Sequence, residues 1–401
     1  MTKTLLIAGA SVRPWVASAL AAGYRVQAVD FFADWDLLQL ENDEPAVVSV
    51  ESISEFAQIS GLSNLGSCDA AVVCGGLENQ IDLLQRVELV IPILGTHSRN
   101  LGRLRDAMDV NRRLQDAGFL TPEFKSKLSS GDDNRTWLRK TNGSSGGLGV
   151  QWARSKECRS VRDDVFYQAH VVGENVSAVF VSSRDSLERV TTSLLGVTQQ
   201  LVGRPQFGAS EFSYCGSIGP VDLSDPVRTE IESVGRYLAD QFEILGAWGI
   251  DFIINAEGVC PVDVNARLTA SMELFEAGLR SSGDVESIVD LHVKACLGKP
   301  GAVGHVCEGF KAPSVEGKAI LFNNTTTAIE VDDVQQGAIC RMFDREFFES
   351  NATGFSVADV PKVGDRIRPG SPILTLRVRD DEGRVLSLLE TKASEILRLL
   401  G

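Results

Sequence analysis

Two short apolar segments that carry acidic side chains constrain the fold of this chain more than any other feature. The first contains Asp251, and twelve positions further on (263 − 251) the second contains Asp263-Val-Asn265-Ala-Arg267. The turn signal Asn255-Ala-Glu-Gly258 separates them, so the pattern predicts two neighbouring β-strands. Because side chains at i, i+2 and i+4 share one face of a strand, Asp263, Asn265 and Arg267 should project together. Asp251 should join them from the paired strand.

The chemistry of these side chains indicates a site for ATP. Two carboxylates and an amide oxygen suit Mg²⁺, which prefers hard oxygen ligands and keeps phosphate oxygens among them. The guanidinium of Arg267 suits a phosphate or a carboxylate, which it can grip as a fork. On a sheet surface the same grouping is commonly a solvated ladder of charges. The apolar neighbours favour the metal site, since unpaired charge among them would be unfavourable without a cation.

Length and composition bound the class of protein. The chain has 401 residues, of which 43% are hydrophobic and 23% charged, as expected of a soluble globular protein of two or three domains. The net charge of −15 argues against a nucleic-acid partner, which usually requires a basic surface. An anionic nucleotide would therefore depend on positive charge gathered locally at its site.

Targeting signals and cysteine spacing predict a cytoplasmic location. The apolar start Thr4–Ala10 is too short for a secretion signal, and no apolar run reaches the roughly 18 residues of a membrane span. The eight cysteines are scattered without a Cys-x-x-Cys pair. This pattern predicts free thiols in a reducing compartment and no zinc site. With only four histidines, far apart in sequence, a histidine-based metal site is not expected.

Residues 1–95 alternate between strand and helix patterns. Apolar strands are predicted at Thr4–Ala8, Tyr24–Val29, Asp69–Cys74 and Leu89–Leu94, and an amphipathic helix at Pro14–Ala22. The alternation predicts an α/β fold whose first domain is a Rossmann-like, doubly wound parallel sheet.

The first turn of this domain does not fit a dinucleotide site. The segment Gly9–Pro14 is followed by an acid, Asp30, at a suitable distance. However, Ser11 and Pro14 stand where the Gly-x-Gly-x-x-Gly fingerprint requires glycine. We therefore do not expect NAD binding.

Later segments predict two further domains, at 96–300 and 301–401. Helical patterns cover Leu101–Gly118 and Asp225–Leu245. Strand patterns cover Trp137–Lys140, Phe166–His170 and Val176–Ser182. Beyond residue 300 short strands and turns dominate, including Lys318–Phe322 and Ile373–Val378, before a closing helix at Ser387–Leu400.

A glycine-rich loop follows the strand that ends in Lys140. It reads Asn142-Gly-Ser-Ser-Gly-Gly-Leu-Gly149, and its glycines let consecutive backbone N–H groups converge on an anion. It is not a Walker loop, because its lysine precedes the first glycine. The alternative is a flexible hairpin linker, which would not require a lysine at its entrance. We expect Lys140 to meet a phosphate while the loop closes over it.

Taken in order, these features resemble the ATP-grasp superfamily of ligases over nearly the whole chain. The Rossmann-like first domain and the strand-rich C-terminal region are similar to its biotin-carboxylase-like members. The resemblance implies a lysine and glycine loop over the phosphates, a hinge at the adenine and ribose, and two Mg²⁺ (or Mn²⁺) ions. It places Arg267 opposite the transferred phosphoryl group, with Lys140 beside it. The remaining residues that match the pattern are Gly143, Gly146, Gly147 and Gly149 in the loop, Gln168, Ala169, His170 and Glu174 at the hinge, and Asp251, Asp263 and Asn265 as metal ligands.

This sequence departs from the family pattern at several positions. An earlier nucleotide-binding lysine is missing, and Arg103 or Arg105 stands in its region. The hinge has Ala169-His170 where an acid and an aromatic residue are usual, and Asp263 replaces the commoner glutamate.

The resemblance implies an ATP-dependent carboxylate–amine ligase that forms an acyl phosphate. The segment after Asn265 is similar to a branch linked to one-carbon cofactor pathways, which makes an amino acid such as glutamate a plausible substrate. Two alternatives stay open: a carboxylase that uses bicarbonate, and a module that senses ATP without turnover. The expected partners are small molecules rather than nucleic acid or membrane, and a homodimer is an open possibility.

Overall fold

The computed structural model describes residues 3–43, 46–61, 65–129, 132, 135–153, 164–283, 285–298, 300–310, 312–349 and 352–400. Seven cysteines in this part of the chain are free thiols, and five of them are buried. Cys158, which the spacing also predicts to be free, lies outside the described residues. Among the described residues, no helix combines the length and apolar character needed to cross a membrane.

The first domain is a five-stranded parallel sheet with strand order β3-β2-β1-β4-β5. Apolar residues fill both of its faces, as expected of a sheet covered by helices. The predicted doubly wound sheet is therefore confirmed, although only the end of the 89–94 segment is a strand. The strands are β1 (Thr4–Ala8), β2 (Arg25–Asp30), β3 (Val47–Ser52), β4 (Ala70–Val73) and β5 (Ile93–Leu94), and the helices are α1 (Arg13–Ala21), α2 (Trp35–Asp43) and α3 (Ile81–Glu88).

Asp30 has a structural role at the first turn. Its carboxylate is buried and accepts hydrogen bonds from the backbone N–H groups of Val12 (2.6 Å), Phe32 (2.7 Å) and Ala33 (2.8 Å). These contacts join the start of α1 to the segment that follows β2.

The helical segment after the first domain is divided into α4 (Ser98–Leu104) and α5 (Ala107–Asp116). The sequence predicts one continuous pattern here. Asp106 interrupts it because its side chain accepts a hydrogen bond from the backbone N–H of Asp109 (3.0 Å), which caps α5. The break sets the directions of Arg103 and Arg105, which flank the end of α4.

A small four-stranded antiparallel sheet follows, with strand order β6-β9-β7-β8. Its strands are β6 (Phe124–Lys125), β7 (Trp137–Thr141), β8 (Val150–Trp152) and β9 (Val165–Ala169). Trp137, Val165, Tyr167 and Ala169 form its buried core. The glycine-rich loop is the connection between β7 and β8, so both of its ends are anchored in this sheet.

The largest sheet has eight antiparallel strands in the order β14-β13-β10-β11-β12-β15-β19-β17. Strands from the C-terminal region thus extend the sheet that carries the acidic pair. Helix α6 (Asp225–Phe242) packs on it so closely that Gly235 lies against the Phe180 ring. The strands are β10 (Glu174–Arg184), β11 (Val190–Val202), β12 (Tyr214–Gly219), β13 (Gly246–Asn255), β14 (Gly258–Asn265), β15 (Val315–Phe322), β17 (Gly354–Ala358) and β19 (Pro372–Asp380).

The remaining elements surround this sheet. Strands β16 (Ile329–Glu330) and β18 (Arg366–Ile367) form a separate two-stranded sheet. The C-terminal helix packs on β15 and β19 through a buried apolar face that includes Val385 and Leu389. The helices are α7 (Glu276–Ser282), α8 (Ile288–Cys296), α9 (Pro300–Gly309), α10 (Asp333–Cys340), α11 (Arg345–Glu349) and the C-terminal α12 (Glu382–Leu399).

Buried ion pairs join the first domain to the large sheet. The Glu273 carboxylate accepts from Arg13 of α1 (2.8 Å) and from Lys318 of β15 (2.7 Å), and it also pairs with Arg377 of β19. Burial acts to raise the pKa of Glu273, but the three cations outweigh it and hold the pKa well below its ordinary value. Removing one partner would leave a buried charge without a counter-charge. This cluster therefore fixes the first domain against the C-terminal strands.

Candidate functional site

The two acidic segments form neighbouring antiparallel strands, β13 and β14. Asp251 and Asp263 are direct register partners, and the register shifts immediately afterwards, between Asp251 and Phe252. Such a bulge bends the strand and redirects its side chains. The Asn265 side-chain amide donates to Asp263 (3.2 Å), and Arg267 donates to the Asn265 side-chain oxygen (3.2 Å). The structure thus brings the four residues of the motif into one contiguous group. The prediction that Arg267 shares the strand face is wrong, because β14 ends at Asn265 and Arg267 lies in the bend that follows.

The acidic pair carries concentrated negative charge. Burial raises the pKa of Asp251 to about 6, and the facing Asp263 carboxylate adds to the shift, while hydrogen bonds from Ser177 and Gln200 oppose it. A divalent cation would relieve both the desolvation and the repulsion. Among the described residues, no three His, Cys, Asp or Glu side chains come together as a metal site. Two carboxylates and one amide oxygen nevertheless fit Mg²⁺, which completes its shell with phosphate oxygens and water.

Lys140 reaches this group from the small sheet. Its ammonium nitrogen lies 3.5 Å from the backbone oxygen of Val262, the residue next to Asp263. Burial lowers the pKa of Lys140, and the carboxylates of Asp263 and Asp251 act in the opposite direction. The lysine at the entrance of the glycine loop therefore lies in the electric field of the acidic pair.

The glycine loop is a compact turn rather than an open linker. Gly143, Gly146 and Gly147 have positive φ angles of 72°, 65° and 80°, which glycine adopts readily. A Cβ atom at Gly147 would lie only 1.8 Å from the backbone oxygen of Phe212, and the backbone N–H of Tyr214 donates to Gly146 (3.0 Å). These contacts seat the loop against the segment that enters β12.

Gly149 and the hinge residues complete the predicted nucleotide contacts. A Cβ atom at Gly149 would lie 2.2 Å from the Ser144 hydroxyl, so this position also requires glycine. Gln168 and Ala169 are buried at the end of β9, whereas His170 and Glu174 are exposed on either side of the passage into β10. The Gln168 side-chain oxygen is buried without a hydrogen-bond partner among the described residues. A polar group of a ligand could satisfy it.

The structure distinguishes between the two candidate arginines. Arg105 donates to the backbone oxygen of Val264 (2.7 Å) and to the side chain of Asn79 (3.2 Å), and so reaches the acidic strand. Arg103 is exposed, donates to Gln241 (3.2 Å), and lies 5.0 Å from the centre of the Phe242 ring. Of these two arginines, Arg105 therefore lies at the candidate site and Arg103 does not.

Two further residues, Glu78 and Asn79, come from the first domain and were missed by the sequence reasoning. Glu78 accepts from Arg267 (2.9 Å), and Asn79 contacts Arg105 and Ser145. They follow Gly75-Gly76 at the carboxyl end of β4. This position could have identified them from the sequence, because ligands of parallel sheets bind beyond the carboxyl ends of the strands.

A known protein family matches the part of the chain that carries most of these residues. Residues 104–271 match the family described as the ATP-grasp domain. The chain contains an ATP-grasp domain. The match includes Arg105, Lys140, the glycine loop, the hinge, the acidic pair and Arg267, whereas Glu78 and Asn79 lie outside it. No curated protein matches the sequence.

Solved structures share the fold over almost the full length. N5-carboxyaminoimidazole ribonucleotide synthetase from Thermotoga maritima is 14% identical and has a TM-score of 0.64, with 98% of each chain covered. The carboxyaminoimidazole ribonucleotide synthase from Aspergillus clavatus complexed with ATP is 12% identical, with a TM-score of 0.69 and coverage of 100% and 99%. A biotin carboxylase from Campylobacter jejuni is 13% identical, with a TM-score of 0.67 and coverage of 97% and 90%. At these identities the likeness shows the fold alone, and it extends on both sides of residues 104–271.

Proposed function

We propose that this protein is an ATP-dependent ligase that activates a carboxylate as an acyl phosphate for attack by an amine. The observation that carries the proposal is the register-paired Asp251 and Asp263, with Arg267 bonded to the neighbouring Asn265 and Lys140 close to Val262. All of these residues lie within the segment that matches an ATP-grasp domain. This grouping combines a cation site with two positive side chains, which phosphoryl transfer requires.

In the proposed reaction, a carboxylate oxygen of the substrate attacks the γ-phosphorus of ATP, and the bond to ADP breaks. The amine nitrogen then attacks the acyl carbon, phosphate leaves, and the amine loses a proton to solvent. Asp251, Asp263 and Asn265 are the residues that would hold Mg²⁺, which when bound disperses charge on the phosphate oxygens. Lys140 and Arg267 orient the transferred group and stabilise its charge, so no side-chain nucleophile is needed.

The glycine loop and hinge have complementary parts in this proposal. The loop from Gly143 to Gly149 covers the phosphates and excludes water, which protects an acyl phosphate from hydrolysis. Gln168, Ala169, His170 and Glu174 contact the adenine and ribose. The buried, unpartnered oxygen of Gln168 supports this placement because, among the described residues, it leaves an acceptor for a ligand donor.

Release of phosphate from MgATP tests the proposal directly. The purified protein is offered glutamate and other amino acids as amines, each with a set of carboxylates and, separately, with bicarbonate. A ligase should release phosphate only when the substrates supply both a carboxylate and an amine, which an amino acid can do alone. A requirement for bicarbonate would assign a carboxylase instead. Tight ATP binding without release across the whole panel would overturn the ligase and assign a sensing module.

Arg105 and Arg103 form a matched pair for testing the nucleotide contacts. Arg105→Ala should weaken ATP binding by about tenfold, the effect of losing one charge-assisted contact. Arg103→Ala should change it by less than about twofold, because this side chain faces Phe242 and solvent. Calorimetric titration with MgATP measures both, and equal losses in the two variants would contradict the assignment of Arg105.

A further inference from the structure

The turn at Leu77–Asn79 extends from the first domain into the ATP-grasp site. We infer that Glu78 is a positioning residue that holds Arg267 in the orientation needed to face the γ-phosphate. The inference rests on the proposed function, since it assigns to Arg267 the contact with the transferred phosphoryl group. It adds a part of the chain outside residues 104–271 to the site.

The Arg267 guanidinium is held by hydrogen bonds from each of its three nitrogens. Nε donates to Glu78 Oε1 (2.9 Å), Nη1 to the backbone oxygen of Leu268 (3.0 Å) and Nη2 to the side-chain oxygen of Asn265 (3.2 Å). Glu78 is the one charged group of these three acceptors, and it approaches from 189 positions away in sequence. The side chains of Glu78 and Arg267 are only 2% and 12% exposed, so water screens their attraction weakly.

The charge state of Glu78 suits the task of holding the Arg267 guanidinium. Burial acts to raise its pKa, but Arg267 and Arg105 outweigh burial and hold the pKa below its ordinary value. Glu78 is therefore ionised at neutral pH and accepts from Arg267 as a full charge. The paired guanidinium keeps the nitrogens Nη1 and Nη2 on the side of Asn265 and the acidic strand.

The same turn also reaches the glycine loop. Asn79 accepts from Arg105 (3.2 Å) and donates to the Ser145 hydroxyl (3.3 Å). Two consecutive residues thus contact Arg267, Arg105 and the loop. This arrangement ties the first domain to both arginines and to the glycine loop.

The geometry indicates positioning rather than simple stabilisation. The second oxygen, Oε2, is buried without a hydrogen-bond partner among the described residues, so Glu78 holds Arg267 through one oxygen. Buried ion pairs are weak sources of stability compared with apolar packing. Fixed orientation of a cation that meets the reacting group is, by contrast, a direct catalytic advantage.

The test compares a triphosphate analogue with a diphosphate in the full chain. Binding of β,γ-imido-ATP and of ADP, each with Mg²⁺, is measured by calorimetry for the wild type, Glu78→Gln and Arg267→Ala. Glu78→Gln should weaken imido-ATP binding by about tenfold and ADP binding by less than about twofold, because only the former carries a γ-phosphate. Glu88→Gln is the matched control: this partly buried carboxylate of α3 accepts from Ser98, away from the site, and its replacement should change neither affinity.

A double-mutant cycle shows whether Glu78 acts through Arg267. In the Arg267→Ala background, Glu78→Gln should add no further loss of imido-ATP binding. Additive losses, or equal losses for ADP and imido-ATP, would overturn the positioning role while leaving the ATP site intact. If Glu78→Gln does not fold, the same nucleotide affinities are measured for Glu78→Asp. This variant keeps the negative charge but moves it away from Arg267. A wild-type protein that binds neither nucleotide would overturn the proposed function, and this inference with it.

Discussion

Replacing Asp263 with alanine should lower turnover by about a thousandfold or more while leaving the fold intact. Asp263 faces the half-buried Asp251 across the register, so replacing Asp263 removes half of the carboxylate pair. Its side chain is exposed, and β14 lies at the end of the strand order, so little packing is lost. Phosphate release measures turnover, and a thermal melt should stay within about 3 °C of the wild type, as for surface substitutions.

Metal binding supplies a second readout that does not depend on identifying the substrates. Mn²⁺ titrated into the protein with imido-ATP should bind more weakly to Asp263→Ala by at least about tenfold. Glu257→Ala is the control, since this acid is exposed on the turn of the same hairpin and precedes β14. Undiminished, Mg²⁺-dependent activity in Asp263→Ala would remove this residue from the metal site.

The acidic hairpin was predictable because all of its determinants are local. The alternation of Asp263 and Asn265 sets a common face of β14, and the turn at 255–258 brings Asp251 alongside. Arg267 lies two positions beyond the end of the strand, and its side chain returns to this group through its hydrogen bond to Asn265. Four strands of the first domain were predictable for the same reason, since each lies in a short apolar run, whereas β3 (Val47–Ser52) was not predicted. Local sequence patterns therefore predicted both the fold class and the central residues of the candidate site.

Contacts between distant segments were not predictable in this way. Glu78 and Arg267 meet across 189 positions, and no period or spacing in the sequence joins them. The choice of Arg105 over Arg103 depends on the helix break at Asp106, which periodicity alone hides. Likewise, the C-terminal strands enter the large sheet through the pairing of β12 with β15. Even the nearest registered pair, Gly219 and Glu316, is 97 positions apart in sequence (316 − 219). Each of these contacts is decided by how domains pack, which a single sequence does not encode locally.

Replacing Lys140 with alanine should reduce turnover much more than it weakens ATP binding. Lys140 lies beside Val262 and in the field of Asp263 and Asp251, so its charge is directed at the place where phosphoryl transfer would occur. We expect kcat to fall by about a hundredfold and the Kd for MgATP to rise by less than about fivefold, because the interaction strengthens as charge develops. Single-turnover phosphate release and calorimetric titration measure the two quantities separately.

Arg139 provides the matched control for this comparison. It precedes Lys140 on β7, and successive side chains of a strand point to opposite faces, so Arg139→Ala removes a positive charge from the other side of the sheet. It should leave both kcat and Kd within about twofold of the wild type. Equal losses of turnover and affinity in Lys140→Ala would show that Lys140 only binds the nucleotide. A selective loss of turnover would instead place its contribution at the transition state, as expected for a lysine that a closing glycine loop brings onto the transferred group.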